Sequence, residues 1–219
     1  MLSITESLKA VSLFSGLSPQ EIGTLADGAI VRTFPKNTIV VTEGERSDSL
    51  YVILSGRVKV FVSDEHGKDL VLNVEGPGEY FGELALDEGP RSASVGTLEP
   101  CKMAVIANDV LRGFLASHPE ASVLLIRGLI GRIRHTTESL KDLALLDVYG
   151  RVAKLLLELA TEAGGRLVID QRLTQQDIAD RVSASREMVS RILKDLTTGG
   201  YIANEGGKIV IQRRPPRAW

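Results

Sequence analysis

Glu83 and Arg91 are the residues of the first half whose types and setting could do chemistry. They lie in Phe81-Gly-Glu-Leu-Ala-Leu86, followed by Asp87-Glu-Gly-Pro90 and Arg91-Ser-Ala-Ser-Val95. Gly82-Glu83-Leu84-Ala85 reads as a small-residue turn whose backbone N–H groups can face an anion. Glu83 offers a carboxylate to a sugar hydroxyl. Arg91 presents a planar fork of donors suited to a phosphate, and Ser92 can add a hydroxyl contact. One nucleotide-sized ligand could engage all of them. Equally, Glu83 and Arg91 could simply pair with each other across the loop, and spacing alone does not choose between the two.

A second constellation lies near residues 174–197. Thr174-Gln-Gln-Asp177 has the pattern of a helix start, with a threonine N-cap and an acid three residues later. Ile178, Ala179 and Val182 supply its apolar face, and Ser183-Ala-Ser185 interrupts it. A second helix then begins at Arg186, and Val189, Ile192, Leu193 and Leu196 repeat at helical spacing, so that face packs inward. Arg186, Glu187, Ser190 and Arg191 fall on the other side, near the helix start. Arginine can donate two hydrogen bonds to guanine, and glutamate can accept one from cytosine. Base contacts come from the first residues of a recognition helix. Gln176, Ser183 and Ser185 are placed to bond phosphates, which fixes register without reading sequence. A solvated charged face is the plainer alternative. Against it stand small Ala179 at the crossing, the tight break and the two flanking arginines.

Other candidates carry less. Cys101 is the single cysteine, which excludes an internal disulfide and a cysteine-held iron–sulfur cluster; it reads as a small core residue. His66, His118 and His135 show no ligand spacing, so no metal or haem site is expected. No nucleophile–base pairing suggests catalysis, and Gly23 and Gly28 form no phosphate loop. The chain has 219 residues, 43% hydrophobic and 25% charged, a globular balance in which disorder is not the default. No apolar run approaches a membrane span and the N-terminus lacks a signal-peptide pattern, so a cytoplasmic address is expected. Residues 151–219 hold 12 basic and 8 acidic residues, whereas residues 1–150 hold 14 and 20; the two balances, +4 and −6, give the net −2. A basic C-terminal part behind an acidic N-terminal part fits ends that meet different partners.

These groups need elements to position them. Residues 3–15 are loosely helical, and Ser18-Pro-Gln-Glu21 is a capping-box helix start. From about Ile30 to Ile106 short β-rich runs follow one another, among them 38–42, 49–54, 57–62 and 69–74, bounded by turn residues. That texture predicts a β-sandwich or barrel, with a hairpin through 63–68. After Pro119 the period becomes helical. Ile126, Ile130, Ile133, Thr137, Leu140 and Ala144 fall at spacings of four and three, a seam that predicts a partner helix unless it packs on its own domain. A helix over 150–163, a Gly164-Gly165 break, a strand over 166–170, the two helices above and a small hairpin from Tyr201 to Gln212 complete the chain.

Leu143-Ala-Leu-Leu-Asp147, Gly150-Arg-Val-Ala and Ser185-Arg-Glu-Met-Val-Ser-Arg-Ile-Leu-Lys194 resemble the hinge and recognition helix of the cyclic-AMP-receptor and fumarate–nitrate-reductase-type (Crp/Fnr) transcription regulators. FGELAL followed by PRSA resembles the phosphate-binding cassette of cyclic-nucleotide-binding domains. The resemblance implies an α+β chain: a jelly-roll-like β-roll that senses a cyclic nucleotide over 1–118, a dimerisation helix and hinge over 119–146, and a winged helix-turn-helix over 147–219. It implies that Glu83 holds the 2′-hydroxyl and Arg91 with Ser92 the cyclic phosphate, on a turn formed by Gly82, Leu84 and Ala85. Leu72 and Asn73 line the base pocket, and Thr136 and Thr137 match a pair that reaches the base from both subunits. The DNA-facing set becomes Thr174, Gln175, Gln176, Ser183, Ser185, Arg186, Glu187, Ser190 and Arg191. Ser183 stands where the family's turn usually carries Gly, and Ser190 where the cyclic-AMP receptor has Gly. The expected effector is cyclic AMP, with a cyclic-di-GMP-responsive or nucleotide-independent member as the alternative. The expected partners are a second copy, pseudo-palindromic double-stranded DNA and RNA polymerase, with no membrane. A nucleotide-binding module that contacts protein rather than DNA is the reading from another class.

Overall fold

In the computed structural model the described residues are 4–9, 11–14, 16–46, 48–67, 69–87, 89–171 and 173–216. Residues 3, 10 and 15 of the first helical stretch, Lys68 of the 63–68 turn and Glu88 beside the cassette lie outside them. The chain divides into two compact units, Met1–Arg134 and His135–Trp219.

The first unit opens with α1 (Ile4–Lys9) and α2 (Pro19–Asp27). The Ser18 hydroxyl accepts from the Glu21 N–H at 3.3 Å while the Ser18 N–H donates to the Glu21 carboxylate at 2.6 Å, the expected capping box. Two four-stranded antiparallel sheets follow. One is ordered β1 (Ala29–Phe34), β8 (Cys101–Ala107), β3 (Ser49–Ser55), β6 (Tyr80–Phe81); the other β2 (Ile39–Val41), β7 (Ser94–Thr97), β4 (Val58–Ser63), β5 (Asp69–Glu75). Their inner faces enclose Val41, Ile53, Val58, Phe81, Val95, Cys101 and Met103. Cys101 is therefore a core residue, as its sequence context suggested. The outer face of the first sheet carries Leu50, Val52, Ala104 and Ile106, which pack on α1, α2, α3 (Asn108–Ser117) and the early turns of α4 (Pro119–Leu145). This fold puts β6 at the edge of the first sheet, within reach of α4.

Helix α4 has two different faces. Ala121 and Leu125 are buried, with Leu124 and Leu129 against the same core. Ile126, Ile130, Ile133 and Leu140 are 54%, 43%, 66% and 66% exposed, and Thr137 and Ala144 are exposed with them. Every position of the predicted seam thus faces away from the chain's own cores.

In the second unit, α5 (Val148–Leu159) begins at Asp147, whose side chain accepts from the Gly150 N–H at 2.7 Å. Lys154 joins the end of α4 to α5 through Asp142 and Glu138. The expected helix over 150–163 is too long. It stops at Leu159, and Thr161–Ala163 is β9, paired with β10 (Arg166–Ile169). The reason lies in Gly164 and Gly165, which both take positive φ (59° and 75°) and so form a hairpin turn instead of a helix stop. Helices α6 (Gln175–Val182) and α7 (Arg186–Thr198) follow, then β11 (Ile202–Glu205) and β12 (Lys208–Ile211), and the sheet order is β11-β12-β10-β9. Tyr149, Val152, Leu156, Ile178, Val182, Val189, Ile192 and Leu196 close the core.

Candidate nucleotide pocket and DNA-binding surface

Strand β6 ends at Gly82, whose φ of +90° turns the chain into a 3-10 segment, Glu83–Asp87. A side chain at Gly82 could not be accommodated: its Cβ would sit 2.6 Å from both Arg91 Nη1 and the Ser49 carbonyl oxygen. Arg91 fills that space. It is only 6% exposed, and its guanidinium donates to the Gly82 carbonyl at 3.0 Å and the Ser49 carbonyl at 2.9 Å. Its backbone is pinned too, the N–H donating to the Glu45 carbonyl and its own carbonyl accepting from Gly44. Tyr51 and Phe81 stack beneath at 4.9 Å. Burial lowers the Arg91 guanidinium from its ordinary value, opposed by Tyr51, Asp48 and Glu83. Two of its five N–H donors are spent on carbonyls, which leaves a buried, oriented cation with capacity for an anion.

Glu83 and Arg91 do not pair with each other. The Glu83 carboxylate meets Arg132 of α4 at 2.7 Å, and its second oxygen, Oε2, is buried with no hydrogen-bond partner. Arg132 also donates to the Tyr80 carbonyl, lies 4.6 Å over the Tyr80 ring and approaches Glu75 at 3.7 Å. Burial works against its charge, but Glu83, Glu75 and Tyr80 outweigh that and raise its pKa. Gly128, one turn earlier, lets the helix approach: a Cβ there would collide with the Tyr80 hydroxyl. Arg132 is the residue that sequence reasoning missed. Its partners lie in a different element, and nothing local distinguishes it from Arg127 or Arg134.

The remaining pocket candidates are distributed unequally. Ala85 is fully buried and its N–H donates to the Gly82 carbonyl at 3.0 Å, so its place is in shaping the turn. Leu84 is 41% exposed and Ser92 is exposed. On β5, Val60 pairs with Asn73 and Phe61 with Val71, which leaves Leu72 as an extra, bulged residue, 44% exposed. The Asn73 amide donates to Glu75 at 3.0 Å, and its oxygen accepts from the Val74 N–H. Thr136 and Thr137 are exposed on α4, four and five residues beyond Arg132.

Thr174 and Asp177 form the predicted capping box at the start of α6, with the Thr174 N–H donating to Asp177 at 2.8 Å. Gln176 donates to Asp180 at 2.6 Å. Ser183 ends α6 in the left-handed conformation, φ 53°, where Ala184 N–H donates back to the Ala179 carbonyl. A left-handed non-glycine residue costs about 1–2 kcal/mol, part of which glycine returns as chain entropy. Ser183→Gly is therefore expected to raise stability by about 0.5–1 kcal/mol, read as a higher denaturant midpoint with unchanged slope.

Ser185 caps α7 by accepting from the Met188 N–H at 3.2 Å. Val189, Ile192 and Leu196 are buried under it, while Arg186, Glu187 and Arg191 stand exposed and Ser190 is half-buried. The turn therefore presents all three charged candidates on the open side of α7. Arg186, Thr174, Gln175 and Gln176 border a groove of about 640 Å3 that is closed by Asn204 and Gly207 of the β11–β12 hairpin. Ser190 and Lys194 border a second groove, of about 370 Å3, with Asn204. Lys194 and Asn204 were absent from the sequence-based set. Lys194, three residues after Arg191, could have been found by helical spacing, whereas Asn204 needed the wing.

Residues 31–118 match the cyclic nucleotide-binding domain, and residues 150–215 the Crp-like helix-turn-helix domain. The chain is 40% identical over 211 residues to a CRP-like cAMP-activated global transcriptional regulator of Mycobacterium tuberculosis, covering 94% of each. It is 34% identical over 189 residues to the cAMP-activated global transcriptional regulator CRP of Pasteurella multocida, covering 83% of this chain and 89% of that one. Among solved structures, the c-di-GMP responsive global regulator CLP of Xanthomonas campestris superposes with a TM-score of 0.77 at 27% identity, over 89% of this chain and 99% of that one. The β-roll, the long helix, the helix-turn-helix and these relatives agree: the chain belongs to the Crp/Fnr family, whose members are transcription regulators and not enzymes.

Proposed function

We propose that this regulator is a homodimer whose affinity for DNA is set by a cyclic mononucleotide, cyclic AMP, bound in the β-roll. The observation that carries the reading is the half-buried Glu83 carboxylate, whose Oε2 atom is itself buried. One oxygen is held by Arg132 and the other has no partner, beside a buried Arg91 that retains donors. A buried unsatisfied carboxylate oxygen is costly, and a ligand hydroxyl would satisfy it. Glu83 would take the sugar hydroxyl, Arg91 and Ser92 the cyclic phosphate, with Gly82, Leu84 and Ala85 shaping the turn. Leu72 and Asn73 would face the base. Thr136 and Thr137 would reach it from the long helix, in one case across the dimer.

Arg132 immediately precedes Ile133 of the seam, so whatever changes its partners in the pocket acts on the helix that carries the dimer contact. Two recognition helices, one from each protomer, would then be set one DNA turn apart, about 34 Å. Arg186, Glu187, Ser190 and Arg191 would read bases, and Thr174, Gln175, Gln176, Ser183 and Ser185 would meet phosphates. Arg186→Ala and Arg191→Ala should each weaken a selected operator by about 1–3 kcal/mol and relax base preference at one position, measured by anisotropy with single-base operator variants. Unchanged affinity for both would remove α7 as the reader. RNA polymerase completes the proposed partners, and a cytoplasmic site of action goes with them; none of the described helices is long and apolar enough to cross a membrane.

Titration calorimetry with cyclic AMP, cyclic GMP and cyclic di-GMP tests the effector. Saturable heat with cyclic AMP supports the reading. Binding of cyclic di-GMP alone would favour the behaviour named for the Xanthomonas regulator, and silence from all three would overturn the sensor assignment.

A further inference from the structure

Two charged side chains are buried among the described residues, Arg91 and Glu75. The first belongs to the pocket described above; the second has no part in it so far. Glu75 is the last residue of β5, only 7% exposed, and pairs across the sheet with Val58, which is fully buried between the two sheets. Asn73, two residues earlier on the same strand face, pairs with Val60. Glu75 and Asn73 therefore form a polar pair on the inner face, where the buried Thr97 lies on the other side of Val58, and the Asn73 amide donates to Glu75 at 3.0 Å.

The groups facing Glu75 are Arg132 from α4, Glu83 from the segment after β6, Glu79 and Tyr80 before it, and Asn73 alongside. Arg132 is the cation among them, and it is closer to Glu83 (2.7 Å) than to Glu75 (3.7 Å). Two carboxylates thus share one guanidinium, and Glu75 has the weaker hold. We propose that Glu75 is a fourth charged residue of the nucleotide site, beside Glu83, Arg91 and Arg132, that it competes with Glu83 for Arg132, and that a cyclic nucleotide binds best when Glu75 carries a proton. This rests on the reading of Glu83 and Arg91 as a nucleotide site.

The electrostatics give the direction. Burial raises the Glu75 carboxyl above its ordinary value; Arg132 opposes this, while Glu79 and Glu83 add to it. An arriving phosphodiester adds another negative charge and raises it further. Its value in the complex then lies above its value in the free protein, so binding takes up a proton. Affinity is highest below the free-state value and falls as pH rises toward the value in the complex.

The test uses the full-length protein and cyclic AMP. Calorimetry in buffers of different ionisation enthalpy should show proton uptake on binding. Affinity should weaken as pH rises above the ordinary carboxylate range, by at most about tenfold per unit. Glu75→Gln, which keeps the shape without the charge, should flatten that profile and bind about three- to tenfold tighter than the parent at the alkaline end of it. Glu79→Gln, at an exposed neighbour, should keep the parent's slope. A flat profile in the parent protein, or an undiminished slope in Glu75→Gln, overturns the proposal while leaving the site intact. Failure of the parent to bind cyclic AMP at any pH overturns the site reading and this proposal with it. Should Glu75→Gln not fold, proton uptake by the parent protein still decides.

Discussion

Ile130→Asp combined with Ile133→Asp is expected to convert the protein to a monomer and to abolish tight operator binding. The two isoleucines are 43% and 66% exposed on the isolated chain, while the opposite face of α4 is occupied by Ala121, Leu125 and the core around them. None of the seam side chains belongs to the described cores, so the fold should survive. An interface that must bury four added carboxylates faces several kcal/mol of desolvation per charge. Light scattering should then read 23.7 kDa instead of twice that mass. Operator affinity should fall by at least about a hundredfold, because the second half-site is no longer held at high effective concentration. A variant that remains dimeric would refute α4 as the dimer contact.

Arg91→Leu is the second large effect, and it acts on the ligand. The substitution keeps most of the buried volume but removes the cation and both hydrogen bonds to the Gly82 and Ser49 carbonyls. A charge-assisted hydrogen bond is worth about 1.5–3 kcal/mol, so losing a two-pronged phosphate contact should weaken cyclic AMP by about 3–6 kcal/mol, a hundredfold or more. Some stability should go as well, since the two carbonyls lose their donors. A cooperative melt with a lowered midpoint, together with undetectable nucleotide heat, is the expected pair of results. Unchanged affinity would exclude Arg91 as the phosphate ligand.

The two halves differ in how far they were legible. The helix-turn-helix could be read almost residue by residue, because both its helices carry side-chain caps, Thr174 and Ser185, and a 3.6-residue apolar period. The exposed stripe along α4 followed from the same helical period. In the β-roll, the four β-branched strands stood out, but β8 is Cys-Lys-Met-Ala-Val-Ile-Ala and β7 is only Ser-Val-Gly-Thr, neither with a clean alternation. The Gly164-Gly165 pair was read as a helix stop because positive φ serves a helix end and a hairpin equally well, and only the pairing of β9 with β10 decides. The pocket was half legible. Local sequence offered Glu83 and Arg91 and left open whether they pair. What separates them is Arg132, which reaches Glu83 from another element, and no spacing rule could supply that.

If nucleotide and DNA act on one equilibrium, each must strengthen the other by the same factor. The direct measurement is a closed cycle on the full-length protein. Affinity for an operator selected from random duplexes is measured with and without saturating cyclic AMP, and affinity for cyclic AMP with and without that operator. Cyclic AMP should tighten operator binding by about 5- to 150-fold, and the operator should tighten cyclic AMP binding by the same factor. Operator affinity that is identical with and without bound cyclic AMP would contradict this coupling.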